Sequence, residues 1–104
     1  MLVKKQRPNH KVILDATTEL AIAHGLDKTY IDMIAKKISK PHSIVYNYYT
    51  SMDNLRCKVL ENAIKEEIIE IIVDGLVSKR INKYDLSEEI MNKVSLMFQS
   101  RILG

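Results

Sequence analysis

Between residues 41 and 49 the chain reads Pro-His-Ser-Ile-Val-Tyr-Asn-Tyr-Tyr, which gathers an imidazole, a hydroxyl, an amide and three phenols in one short run. None of these groups has the neighbours that catalysis needs. The sequence offers no paired carboxylates, no nucleophile–base pair and no glycine loop to cradle a phosphate, so it reads as a non-enzyme with no cofactor. His10, His24 and His42 lie far apart, without a Cys/His/Asp cluster, and a metal site is not expected. What such side chains do well is recognise. Carried on a slim helix, polar tips reach base edges in the major groove of double-stranded DNA. An amide such as Asn47 pairs bidentately with adenine, and an apolar residue such as Ile44 meets a thymine methyl.

Those residues need elements that hold them outward. A first helix is predicted over 9–24, capped by Asn9 and ended by Gly25, with Val12, Ile13, Ala16, Leu20 and Ala23 at helical spacing. A second starts at Thr29-x-x-Asp32, a capping-box pattern, and turns Ile31, Ile34, Ala35 and Ile38 inward. Ser39-Lys40-Pro41 breaks it, because proline has no N–H to continue the ladder. Pro41 suits the first turn of a third, short helix over 41–49. There Val45 and Tyr49, four residues apart, face inward and leave His42, Ser43, Tyr46 and Asn47 outside. Two short helices joined by about three residues form a helix-turn-helix arrangement. A long fourth helix is predicted from Thr50-x-x-Asp53 to Gly75, and a fifth from Asp85-x-x-Glu88 through Leu86, Ile90, Val94, Met97, Phe98 and Ile102. The connector over 76–84 carries no clear pattern. The fold class is all-α: a three-helix bundle over 1–50, followed by two dimerisation helices over 51–104.

Composition agrees. Hydrophobic residues make up 46% and charged residues 28%, with only three Gly and two Pro, which favours a globular, helical chain. A lone cysteine, Cys57, excludes an internal disulfide and reads as a small packing residue in a reducing compartment. Met33, Met91 and Met97 read as core filler. No continuous apolar run suggests a leader or a membrane span, and a cytoplasmic location is expected. The charge is uneven: residues 1–58 carry net +5 and residues 59–104 net −2, within an overall +3. The basic half suits a polyanion, and Lys4, Lys5, Arg7 and Lys11 form either a basic arm on DNA or simply a solvated terminus.

The residues Ile13-Leu14-Asp15-Ala16, Glu19-Leu20, His24-Gly25, Thr29, Ile34-Ala35-Lys36-Lys37, Tyr46-Asn47-Tyr48-Tyr49-Thr50-Ser51 and Leu55 closely resemble, in order and spacing, the DNA-binding domain of TetR family repressors. The resemblance covers about residues 12–60. It implies a phosphate contact at Thr29, base-reading roles for His42, Ser43, Ile44 and Asn47, and backbone or base contacts from Tyr46 and Tyr48; Lys40 is expected to contact DNA as well. The chain departs from the family pattern in its turn. Ser39 stands where glycine is usual and should adopt a left-handed conformation, Lys40 replaces an apolar residue, and Met52 replaces a phosphate-binding lysine.

The family usually carries a larger helical C-terminal domain that dimerises and binds a ligand. Here about 45 residues follow the helix-turn-helix part, which leaves little room for an inducer pocket. The apolar cluster Ile68, Ile69, Ile71, Ile72 and Val73 would cover most of the circumference of a straight helix, and such a surface needs a partner. Ile68, Ile72, Val94 and Phe98 are therefore the expected dimer contacts. The leading expectation is a dimeric repressor on a palindromic operator. A protein-interaction module that has lost DNA binding and a ligand-induced repressor are the alternatives.

Overall fold

The computed structural model describes residues 9–103, with side chains to position 100. Lys4, Lys5 and Arg7 lie outside the described residues, as does the side chain of Ile102. The described part is all helical: α1 (His10–His24), α2 (Ile31–Ile38), α3 (His42–Tyr46), α4 (Met52–Glu66), α5 (Ile69–Val77) and α6 (Glu88–Leu103), with single 3-10 turns at Leu26–Lys28 and Lys83–Asp85.

Local chemistry sets most of the boundaries. The Asn9 side chain accepts from Val12 N at 2.9 Å and starts α1. Gly25 ends it at φ 94, a backbone state that costs glycine little. At the end of α2, Ser39 takes the left-handed conformation expected of it (φ 56, ψ 46), while Lys40 N donates to Ala35 O at 3.0 Å. A non-glycine residue pays strain there, so Ser39→Gly should raise stability by about 0.5 kcal/mol, the strain relieved less the extra entropy of the unfolded chain. Thermal melting should move up by about 2–4 °C. A lower melting point would mean that the serine side chain supports the turn.

Other starts shift by a residue or more. The Tyr30 backbone, not Thr29, flanks α2 and makes no side-chain cap. Ser51 rather than Thr50 caps α4, accepting from Asn54 N at 3.0 Å. Asp85 closes a 3-10 turn whose capping box it forms with Asn82, and Ser87 accepts from Ile90 N at the head of α6. Pro41 precedes α3 in extended conformation instead of sitting in its first turn, and the helix ends at Tyr46 rather than Tyr49.

The predicted long fourth helix is two helices. Glu67 turns left-handed (φ 55), Ile68 N closes back on Ala63 O at 2.8 Å, and α5 leaves in a new direction. Burial explains the break. The turn brings Ile71, Ile72 and Val73 into the core, each 0% exposed. One left-handed residue costs about 1–2 kcal/mol, whereas burying each of three large aliphatic side chains gains about 1.5–3 kcal/mol. Gly75 allows the close packing that follows: a Cβ there would lie 2.5 Å from Leu60 Cδ2 and 3.0 Å from Ile81 Cγ1.

This overturns the sequence argument that the cluster must be covered by a second copy. Ile72 and Val94 pack inside the protomer, while Ile68 and Phe98 stay half-buried. Cys57 is exposed on α4 and is not a packing residue. Met33, Met91 and Met97 are half-buried, and of the three Met97 packs against the core. The core itself is continuous from Ile13, Ile34 and Val45 through Leu55 to Ile71 and Ile90, and so runs across position 50.

Candidate nucleic-acid interface

Helix α3 is one and a half turns long, too short to persist alone. Two inward anchors hold it. Val45 and Tyr49 are both buried in the core. The Tyr49 hydroxyl donates to His10 O at 3.0 Å, and the His10 ring meets Tyr48 and Tyr49 edge-on at 4.9 and 5.5 Å. Burial, with Asp15 adding to it, raises the Tyr49 phenol above its ordinary value of 10.0, so it remains a neutral donor. The start of α1 therefore supports the end of α3.

With those anchors inside, His42, Ser43, Tyr46 and Asn47 are exposed and Ile44 and Tyr48 half-buried. Tyr46 is 51% exposed despite its size. The structure thus places His42, Ser43, Ile44 and Tyr46 on α3, with Asn47 as its C-cap and Tyr48 in the turn that follows. The Asn47 backbone N–H is used by Ser43 O and Ile44 O, and its amide makes no hydrogen bond within the described residues. His42 Nε2 lies 2.9 Å from Asp32 Oδ1, which ties the head of α3 to the first turn of α2. A base that engages His42 must compete with that carboxylate. Lys36 and Lys40 are exposed nearby without an ion-pair partner among the described residues, whereas Lys37 pairs with Glu19 at 3.3 Å.

Thr29 does not join this surface. It is 0% exposed, and its hydroxyl donates to Gly25 O at 2.9 Å, so the side chain is committed to shaping the turn before α2. The expected phosphate contact fails for that reason. Tyr30, which sequence reasoning passed over, stands at that helix start instead, 52% exposed. The Arg56 guanidinium sits 5.7 Å from its ring centre and donates to Leu26 O and Thr29 O. The only sequence signal for Tyr30 was its place next to Thr29. For Arg56 there was none, since its partners lie some thirty positions away.

Among the described residues, no three His, Cys, Asp or Glu side chains gather at metal-binding distance, and no helix is long and apolar enough to cross a membrane. Two surface depressions of about 560 Å³ each flank the bundle, one along the connector from Leu76 to Asp85 and one between α1 and α4. Both are open and lined largely by charged and polar side chains, unlike the enclosed apolar pockets that small organic ligands fill.

Residues 13–56, from the second turn of α1 through α2 and α3 to the first turns of α4, match the family model described as bacterial regulatory proteins, tetR family. No curated protein and no solved structure matches the chain.

Proposed function

We propose that this chain is a dimeric DNA-binding repressor that reads a palindromic operator with α3, a reading supported by the match of residues 13–56 to the family model of tetR-type bacterial regulatory proteins. The observation that carries the reading is the division of α3 and the turn after it into buried anchors, Val45 and Tyr49, and an exposed row of His42, Ser43, Tyr46 and Asn47. Asn47 reads adenine, Ile44 meets a thymine methyl, and His42 and Ser43 take neighbouring base edges. Tyr46 and Tyr48 bind through their hydroxyls. Lys40 neutralises a phosphate, and Lys4, Lys5 and Arg7 form a basic arm. Tyr30 replaces Thr29 as the polar group at the start of α2.

Dimerisation follows from the size of α3. A helix this short reads only a few base pairs, each worth about 1–3 kcal/mol, and two copies double the discrimination. The surface left for pairing is α6, which packs mainly on α5 and leaves Leu96 66% exposed beside half-buried Met97 and Phe98. Ile68 borders it in this proposal.

Fluorescence anisotropy with duplex DNA from upstream of the coding sequence tests the electrostatic part. Log affinity should fall linearly with log salt, by about 0.9 for each phosphate contact. Binding that ignores salt would contradict the proposal.

A further inference from the structure

The helix-turn-helix is a loop of chain with a neck. The chain enters at residues 26–29 and leaves at residues 51–56. Arg56, at the exit, donates to Leu26 O at 3.2 Å and to Thr29 O at 2.8 Å at the entry. A second guanidinium spans the same neck from outside the family segment. Arg80, in the connector after α5, places Nε and Nη2 each 2.9 Å from Asp27 Oδ1 at the entry, and Nη1 2.7 Å from Asp53 Oδ1 at the exit.

We infer that Arg80 is a positioning residue for DNA recognition, a clamp through which the C-terminal half sets the angle at which α3 is presented. This rests on the DNA-binding reading above.

The clamp has a firm base. Arg80 N donates to Gly75 O at 2.9 Å, after Lys79 turns the chain left-handed (φ 62), and Ile81 packs at the Gly75–Leu60 contact. The Asp74 carboxylate of α5 accepts from Leu26 N at 3.2 Å, a second tie to the entry. The Arg80 side chain is only 22% exposed, so solvent and salt screen it less than an open surface pair. Its fork matters as much as its charge: one planar guanidinium reaches two carboxylates at once, whereas an ammonium is a single point. Ion pairs with exposed carboxylates add little to stability. Their effect here is on orientation, because hydrogen bonds to base edges weaken steeply when angle or distance drifts.

Three variants test the clamp: Arg80→Lys, Arg80→Gln, and the double change Asp27→Asn with Asp53→Asn. Each is measured by anisotropy on upstream DNA and on random duplex at one salt, and by amide spectra without DNA. Arg80→Lys keeps the net charge and should bind upstream DNA about tenfold more weakly, the value of roughly one base contact, while random DNA binds as before. The double variant loses two negative charges, so charge alone would tighten it on every DNA. It should tighten on random DNA yet weaken on upstream DNA. Arg80→Gln should follow Arg80→Lys on upstream DNA. In all three, amide signals of residues 26–29 and 42–47 should shift while those of the α5 and α6 core hold. Equal effects on both DNAs, or shifts confined to the neighbours of the altered residue, overturn the inference. So does an Arg80→Lys protein that melts markedly lower, which would make the residue merely structural. If the wild-type chain does not distinguish upstream from random DNA, the DNA reading fails, and the amide shifts still decide the clamp.

Discussion

Ile72→Asp should leave no folded protomer. Ile72 is 0% exposed on α5, between Ile71 and Val73, which are equally buried. Removing the aliphatic side chain costs about 2–5 kcal/mol in lost contacts and cavity. The incoming carboxylate would enter a cluster of buried hydrophobic side chains, and an unpaired buried charge costs several kcal/mol more, or about as much as its neutralisation by protonation. Together these rival the roughly 5–15 kcal/mol that holds a domain folded. Circular dichroism should show the helical signal largely lost at neutral pH. Phe98→Asp is the contrasting change, because Phe98 is half-buried on α6. That variant should keep most of its helix content but scatter light as a 12.0 kDa monomer. Folded Ile72→Asp monomers would instead put Ile72 in the dimer interface and contradict the packing described above.

Asn47→Ala should cost about 1–3 kcal/mol on the operator and relax preference at one base pair. The substitution is clean. Asn47 has ordinary helical angles (φ −68, ψ −22), is exposed, and makes no side-chain hydrogen bond within the described residues. Alanine fits that backbone, so thermal melting should hardly change and the loss should appear only with DNA. Tyr46→Phe removes one hydroxyl from an exposed ring and should cost less. Competition between operator variants and random duplex checks both. Equal loss on all sequences for Asn47→Ala would mean that the amide does not read a base.

What was legible in the sequence was local. Asn9 reaches a donor three residues on, Val45 and Tyr49 share a face by spacing, and Ser39 occupies the left-handed turn because Pro41 stops the ladder two residues later. The all-helical fold and the resemblance that residues 13–56 bear to tetR-type regulators followed from such signals. What failed depended on packing. Thr29 and Thr50 both look like caps, yet each stands one residue before the position that flanks the helix, and only tertiary contacts choose between neighbours. No residue type marks the break at Glu67, where neither Gly nor Pro appears; burial of Ile71 to Val73 decides it. The same break hid the true surface, since residues that seemed to need a second copy are covered by their own chain. The Arg80 pairs span 53 and 27 positions, and such pairing leaves no periodic trace.

The most direct test of recognition by a paired α3 is a footprint of the purified chain on its own upstream DNA. Two protected half-sites should appear, related by a dyad and centred about 34 Å apart, one turn of the duplex. Asn47→Ala should abolish both together at a concentration where the wild type protects fully. Uniform protection, a single unsymmetric site, or none at concentrations where the chain is folded and dimeric would contradict the account.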